Sequence, residues 1–83
     1  MNRPIVTSTQ VVRKGKKLDV QGLTVEFRNQ GSSSVRIGLI RLLAGESIHF
    51  ECLGRDLYYR FTDQVRFDLE GSGSELVIVS THT

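Results

Sequence analysis

The stretch Val35-Arg36-Ile37-Gly38-Leu39-Ile40-Arg41-Leu42-Leu43-Ala44-Gly45-Glu46-Ser47-Ile48-His49-Phe50 decides how this chain folds. It is the densest apolar segment of the sequence and lies near its middle. Val35 and Ile37 flank Arg36, Ile40 and Leu42 flank Arg41, and Ile48, Phe50 and Cys52 alternate with His49 and Glu51. Period-two alternation marks half-buried β-strands. The segment reads as a core hairpin, two strands joined by a tight turn at Ala44-Gly45-Glu46. One irregularity stands inside it, because the apolar phase slips between Ile37 and Ile40. A one-residue bulge near Gly38-Leu39 reconciles the two registers, and glycine suits it. The rival reading is a short helix over residues 38–44, which has too few turns to be stable without packing.

The same alternation extends in both directions. Toward the C-terminus, Leu53-Gly54-Arg55-Asp56 is a tight turn. Leu57, Tyr59 and Phe61 then point inward, with Tyr58 and Arg60 outward. Thr62-Asp63-Gln64 turns the chain again, and Val65-Arg66-Phe67-Asp68-Leu69-Glu70 is the cleanest alternation present. Gly71-Ser72-Gly73-Ser74 is a turn before Glu75-Leu76-Val77-Ile78-Val79-Ser80. That last strand is apolar on both faces, so it is central or covered by another chain, and Val77 and Val79 are its assembly candidates. Thr81-His82-Thr83 is expected to fray.

Toward the N-terminus, Asn29-Gln30-Gly31-Ser32-Ser33-Ser34 is a polar loop. Leu23, Val25 and Phe27 face inward, opposite Thr24, Glu26 and Arg28. Gly22 marks a bend separating this run from Leu18-Asp19-Val20. Arg13-Lys14-Gly15-Lys16-Lys17 is a glycine-centred basic turn. Ile5 to Val12, after Pro4, is β-branched and threonine-rich; residues 1–12 read as an edge strand or an arm reaching a neighbour.

About seven short strands with turn signals every 8–12 residues predict an all-β fold, a small antiparallel β-sandwich, immunoglobulin-like or jelly-roll-like. Residues 1–83 make a single domain. Val25-x-Phe27-x-x-x-Gly31-Ser32-x-Ser34 reappears forty residues later as Val65-x-Phe67-x-x-x-Gly71-Ser72-x-Ser74. Two hairpins related by a pseudo-twofold axis would produce this, and so would generic hairpin chemistry in a glycine- and serine-rich chain.

A chain of 83 residues buries only roughly 60–65% of the surface its unfolded form exposes. The thin core motivates an expectation of oligomerisation. The lone Cys52 excludes an internal disulfide and a multi-cysteine zinc site, and its phase with Ile48 and Phe50 predicts a buried thiol. No apolar run approaches the roughly 20 residues of a membrane helix. The N-terminus has no signal-peptide core, so the chain is expected to stay in the cytoplasm where it is made until it is assembled. Residues 1–45 carry net charge +6 and residues 46–83 carry −4. This asymmetry fits a polyanion-binding end, complementary faces on identical subunits, or, because the halves of a sandwich interleave, charges that mix in the folded sheets, which is the leading expectation.

No catalytic constellation emerges. His49 and Glu51 lie on one strand face about 7 Å apart, too loose to orient an imidazole. No serine or cysteine stands in a nucleophile context. No acidic run has metal-loop spacing, and the glycine-serine loops lack the lysine and helix of a phosphate-binding loop. No catalytic, metal or cofactor residue is assigned, and no cofactor is expected. The candidate polyanion or partner contacts are Arg13, Lys14, Lys16 and Lys17. Small β-barrels that bind single-stranded nucleic acid add exposed stacking aromatics, yet Phe27, Phe50, Tyr59, Phe61 and Phe67 are all in the inward phase and only Tyr58 is outward.

At Phe27-Arg28-Asn29-Gln30-Gly31, Val35-Arg36-Ile37 and Leu43-Ala44-Gly45-Glu46-Ser47-Ile48-His49-Phe50 the chain resembles small β-sandwich proteins of tailed bacteriophages. These neck, tail, baseplate and capsid-decoration subunits share a strand, an Asn-x-Gly loop, a Val-x-Ile strand and a Leu-x-x-Gly-Glu-Ser turn. The match covers residues 27–50, and Ala44 stands where the family often has proline. The resemblance implies a non-enzymatic virion structural protein, self-associating or binding larger virion proteins, with no membrane partner. The alternatives are a single-stranded nucleic-acid-binding protein and a carbohydrate- or surface-binding adhesion module.

Overall fold

In a computed structural model, residues 5–51, 59–69 and 73–82 are described. They hold only strands and turns. In chain order these are β1 (Val6–Val12), β2 (Lys16–Lys17), β3 (Val20–Gly22), β4 (Thr24–Asn29), β5 (Val35–Ile37), β6 (Ile40–Leu42), β7 (Ser47–Glu51), β8 (Tyr59–Phe61), β9 (Gln64–Phe67) and β10 (Leu76–His82). One four-stranded sheet runs β1-β10-β4-β7 and a second runs β2-β9-β5-β6, with β3 and β8 forming a separate pair. Every pairing is antiparallel.

The inward residues read from alternation build one core shared by both sheets. Val25, Phe27, Leu76 and Ile78 come from the first sheet, and Val35, Ile37, Leu42, Val65 and Phe67 from the second. Leu18 and Val20 fill between them. Phe27 sits edge-on to Phe61 at 5.1 Å between ring centroids and to Phe50 at 6.3 Å, the geometry that aromatic quadrupoles favour. Phe50, Tyr59 and Phe61 are only half-buried. The coarse expectation, an all-β sandwich-like fold with antiparallel sheets, is what is seen.

The segment at residues 35–50 departs from the expected hairpin. Ile37 pairs directly with Ile40 and Val35 with Leu42, so Gly38-Leu39 is a two-residue hairpin loop and neither a bulge nor a helix. Gly38 has φ +60°, the positive φ such loops need at their first position. The turn at residues 43–46 does not close a hairpin, because β6 lies in the second sheet and β7 in the first. It is a corner between layers, and its polar side chains serve that corner. Glu46 Oε1 accepts from Leu43 N at 2.7 Å, and its amide donates to Leu43 O at 3.0 Å. These splits, with the added β2, account for ten strand segments where about seven were expected.

Two further expectations change. Thr81 and His82 do not fray, since both are paired with β1. The polar loop begins on a buried residue, Asn29, exposed by only 1%. Its Nδ2 donates to Ser33 O at 2.8 Å and Leu42 O at 3.1 Å, while its Oδ1 accepts from Gly31 N at 3.1 Å. One side chain thus ties β4 of the first sheet to β6 of the second. Cys52, the turn at residues 53–56, Leu57, Tyr58, Glu70, Gly71, Ser72, Thr83 and Pro4 lie outside the described residues.

The forty-residue repeat has a topological counterpart. Read as β6-β5-β9-β2, the second sheet places β9 where the first places β4, third in each row. Val25 and Phe27 therefore occupy the same position as Val65 and Phe67. The loops that follow approach closely, with Ser32 N donating to Gly73 O at 2.7 Å. A Cβ on Gly31 would stand 2.2 Å from Gly73 O, so only glycine fits there. The opposed sequence charges do mix, with Arg13 on Glu75, Arg60 on Asp19, and Arg36 and Arg41 on Asp68.

Candidate interaction surfaces

The first surface is an open sheet edge. Strand β1 pairs with β10 along its whole length, from Val6↔His82 to Val12↔Leu76, and no described strand lies on its other side. Ile5, Val6 and Val11 are 67%, 46% and 44% exposed. Natural edges are commonly blunted by lysine, proline, a bulge or shortness, because unpaired backbone N–H and C=O groups template another strand. The seven residues of β1, Val-Thr-Ser-Thr-Gln-Val-Val, carry none of these devices. The assembly candidates Val77 and Val79 lie half-buried on the outer face of β10, opposite Val11 and Thr9 of β1. With Val11 they form a small apolar patch beside the open edge, bordered by Arg28 and Glu26 of β4.

The basic turn does not form one patch. Arg13 is paired to Glu75, Nη2 to Oε1 at 3.2 Å. Lys14 is exposed in the link, and Lys16 and Lys17 belong to β2, opposite Val65 and Gln64 of β9. The turn thus divides its cations between the two sheets.

A denser basic feature comes from residues that sequence reasoning read only as outward positions. Arg36 of β5 stands directly opposite Arg66 of β9 on one side and Arg41 of β6 on the other. Three arginines therefore line up across three strands on the solvent face of the second sheet. Like charges directly opposite on a sheet are destabilising. Asp68 offsets part of this, with Arg41 Nη2 at 3.3 Å and Arg36 Nε at 3.8 Å from its oxygens. The Ser34 hydroxyl hydrogen-bonds the same carboxylate, and with Arg41 and Arg36 beside it this holds the Asp68 pKa below its ordinary value of 3.8. Arg66 has no ion pair among the described residues. The signal was present as three apolar-Arg-apolar triplets, 35–37, 40–42 and 65–67, but their adjacency depends on strand register.

A groove of about 450 Å³ opens between β1, β10 and β3, lined by Ser8, Gln10, Asp19, Gln21, Ser80 and His82 over Val20 and Ile78. Ser8 Oγ and His82 Nε2 share a hydrogen bond at 3.3 Å. A nucleophile–base pair also needs a group that orients the base. Among the described residues no carboxylate bonds His82, and Asp19 is engaged by Arg60 at 3.3 Å. His49, expected to stand beside Glu51, has Glu26 Oε2 3.6 Å from its Nδ1 instead. No group of three or more potential metal ligands gathers among the described residues. No helix there is long and apolar enough to cross a membrane.

No protein-family model matches the chain, and no curated protein matches it. Among solved structures it is similar to a solution NMR structure of a de novo designed double-stranded β-helix, with a TM-score of 0.49 and 19% identity over 93% of this chain and 99% of that one. At that level the neighbour has no bearing on function.

Proposed function

We propose that this chain is a non-enzymatic structural subunit that works through protein–protein contacts, with a second copy of itself as the first partner. The observation that carries the reading is the open β1 edge. Paired antiparallel about Thr9, two β1 strands set Val6 against Val12, Thr7 against Val11 and Ser8 against Gln10. No charges meet in that register, and β-branched cross-strand neighbours stabilise a sheet. A shared eight-stranded sheet would satisfy both edges and extend the thin core. The setting we assign is a phage virion, where such subunits form rings or decorate a shell or tail. Its support is the resemblance over residues 27–50.

Within the sandwich class we assign the jelly-roll-like form over the immunoglobulin-like one. The support is the strand order β1-β10-β4-β7 facing β2-β9-β5-β6, in which the chain repeatedly crosses between sheets.

Sedimentation velocity tests the assembly reading. The protein should sediment as a discrete oligomer at micromolar concentration. The variant Val6→Lys/Val11→Lys should sediment as a folded monomer, because charged edges resist pairing. A wild-type chain that stays monomeric at high concentration would overturn the proposal.

A further inference from the structure

We propose that the row Arg66, Arg36 and Arg41, extended by Lys17, is a docking strip for the phosphodiester backbone of a nucleic acid. The inference goes beyond the assembly reading and does not rest on it. Neighbouring strands lie about 4.8 Å apart, so the three arginines form a line about 10 Å long across the strands. Lys17, opposite Gln64, adds a fourth cation on the same face one row along. The side chains of Arg36 and Arg41 are 58% and 55% exposed. Asp68 is the one carboxylate that pairs with the row among the described residues, and it leaves Arg66 and Lys17 without an ion pair there.

The chemistry of the row favours phosphate. A row of like charges raises the energy of the free sheet, and an anionic chain laid along it relieves that repulsion. The guanidinium fork binds phosphate oxygens in a bidentate manner. A protein partner fits the centre of this face less well. Interface cores between proteins are depleted of charge, whereas nucleic-acid interfaces are polar and strongly positive. The exposed Leu39 and Leu43 stand only at the β6 rim, and no aromatic ring is among the positions of the row. Recognition is therefore of the backbone, without base stacking and without sequence preference.

The test is fluorescence anisotropy with a labelled mixed-sequence oligonucleotide, single-stranded in one arm and duplex in the other, titrated at several salt concentrations. The three arginines alone predict a slope of log K against log salt of about −2.7 for duplex and about −2.1 for single strand, and a Lys17 contact would steepen it by about 0.7–0.9. Either arm binding with such a slope supports the proposal and names the form preferred. Each of Arg36→Gln, Arg41→Gln and Arg66→Gln should flatten the slope by roughly 0.7–0.9, while Arg13→Gln/Lys14→Gln should leave it unchanged. Arg66→Gln breaks no ion pair of the described structure, so it carries the test if Arg36→Gln or Arg41→Gln fails to fold. No binding in either arm overturns the proposal. So does an unchanged slope in the arginine variants, loss of binding in the Arg13/Lys14 variant instead, or binding of polyglutamate in place of the oligonucleotides.

Discussion

The two four-stranded sheets bury the same kind of inner face and present opposite kinds of outer face. In the first, charges meet across or along strands with compensation: Glu26 takes both Arg28 and His49, and its neighbour Val79 is apolar. In the second, arginine meets arginine meets arginine. The edges differ as well. Besides β7 and β6 at their other ends, the first sheet ends on the neutral seven-residue β1 and the second on the two-residue Lys16–Lys17 strand. A short charged edge discourages strand addition and a long neutral one permits it. The two proposals rest on this difference, backbone pairing at the first sheet and charge recognition on the second.

The inner faces provide the sharpest way to break the comparison. Phe27→Ala should destabilise the fold by about 4 kcal/mol, since Phe27 is fully buried against two rings. Phe67→Ala, at the equivalent place in the second sheet and 8% exposed, should cost less, about 3 kcal/mol. Denaturant unfolding of both variants ranks them, and a reversed order would mean that the sheets are not equivalent halves of one core.

Next in size is the link between the sheets. Asn29→Ala leaves Ser33 O and Leu42 O without their side-chain donor, and should cost about 2–3 kcal/mol. Hydrogen exchange should show both the loop at residues 30–34 and the β6 end loosening together. Smaller still are the outer faces, where the signs should oppose each other. Arg66→Gln should raise stability by about 0.5 kcal/mol or less at low salt, through relief of like charge. Arg28→Gln should lower it by a comparable amount, and thermal melts at low and high salt would show both effects fading.

The smallest effect is a pH dependence at Asp68 of the second sheet. The Asp68 pKa is depressed in the folded state, so in acid the unfolded chain binds the extra proton. The contribution of Asp68 is therefore present above about pH 4 and is lost as pH falls below it. Asp68→Asn should flatten the stability profile there, as melts between pH 2 and 6 would show.

Much of the fold was legible before any coordinates. Alternation placed Val25, Phe27, Val35, Ile37, Val65 and Phe67 inward, and all are buried, whereas Leu69, in the same phase, is 77% exposed. The two-sided apolar pattern of β10 left its inner face open until Leu76 and Ile78 proved buried. The hairpin at Gly38 is hidden in the sequence for a definite reason. Residues 37 and 40 are three apart, which puts them on opposite faces of one continuous strand unless a bulge intervenes. Two residues of loop bring them opposite each other on the same face, with no bulge needed. The buried role of Asn29 was hidden because an Asn-x-Gly loop looks the same whether its amide meets water or a facing strand.

The candidate surfaces divide along the same line. The sequence by itself determined that β1 is neutral and β-branched and that three arginines are each held outward by apolar neighbours. It also carried the repeat that puts β4 and β9 in matching places. Only the tertiary structure decided that β1 is an edge, that the Arg13–Lys17 turn divides its cations, and that Arg66 crosses twenty-five or more residues of chain to stand beside Arg36 and Arg41. Side-chain direction is a local consequence of the pleat, which two neighbours suffice to set. Which strands lie side by side is settled by burying both sheets against one core, and no local pattern encodes it.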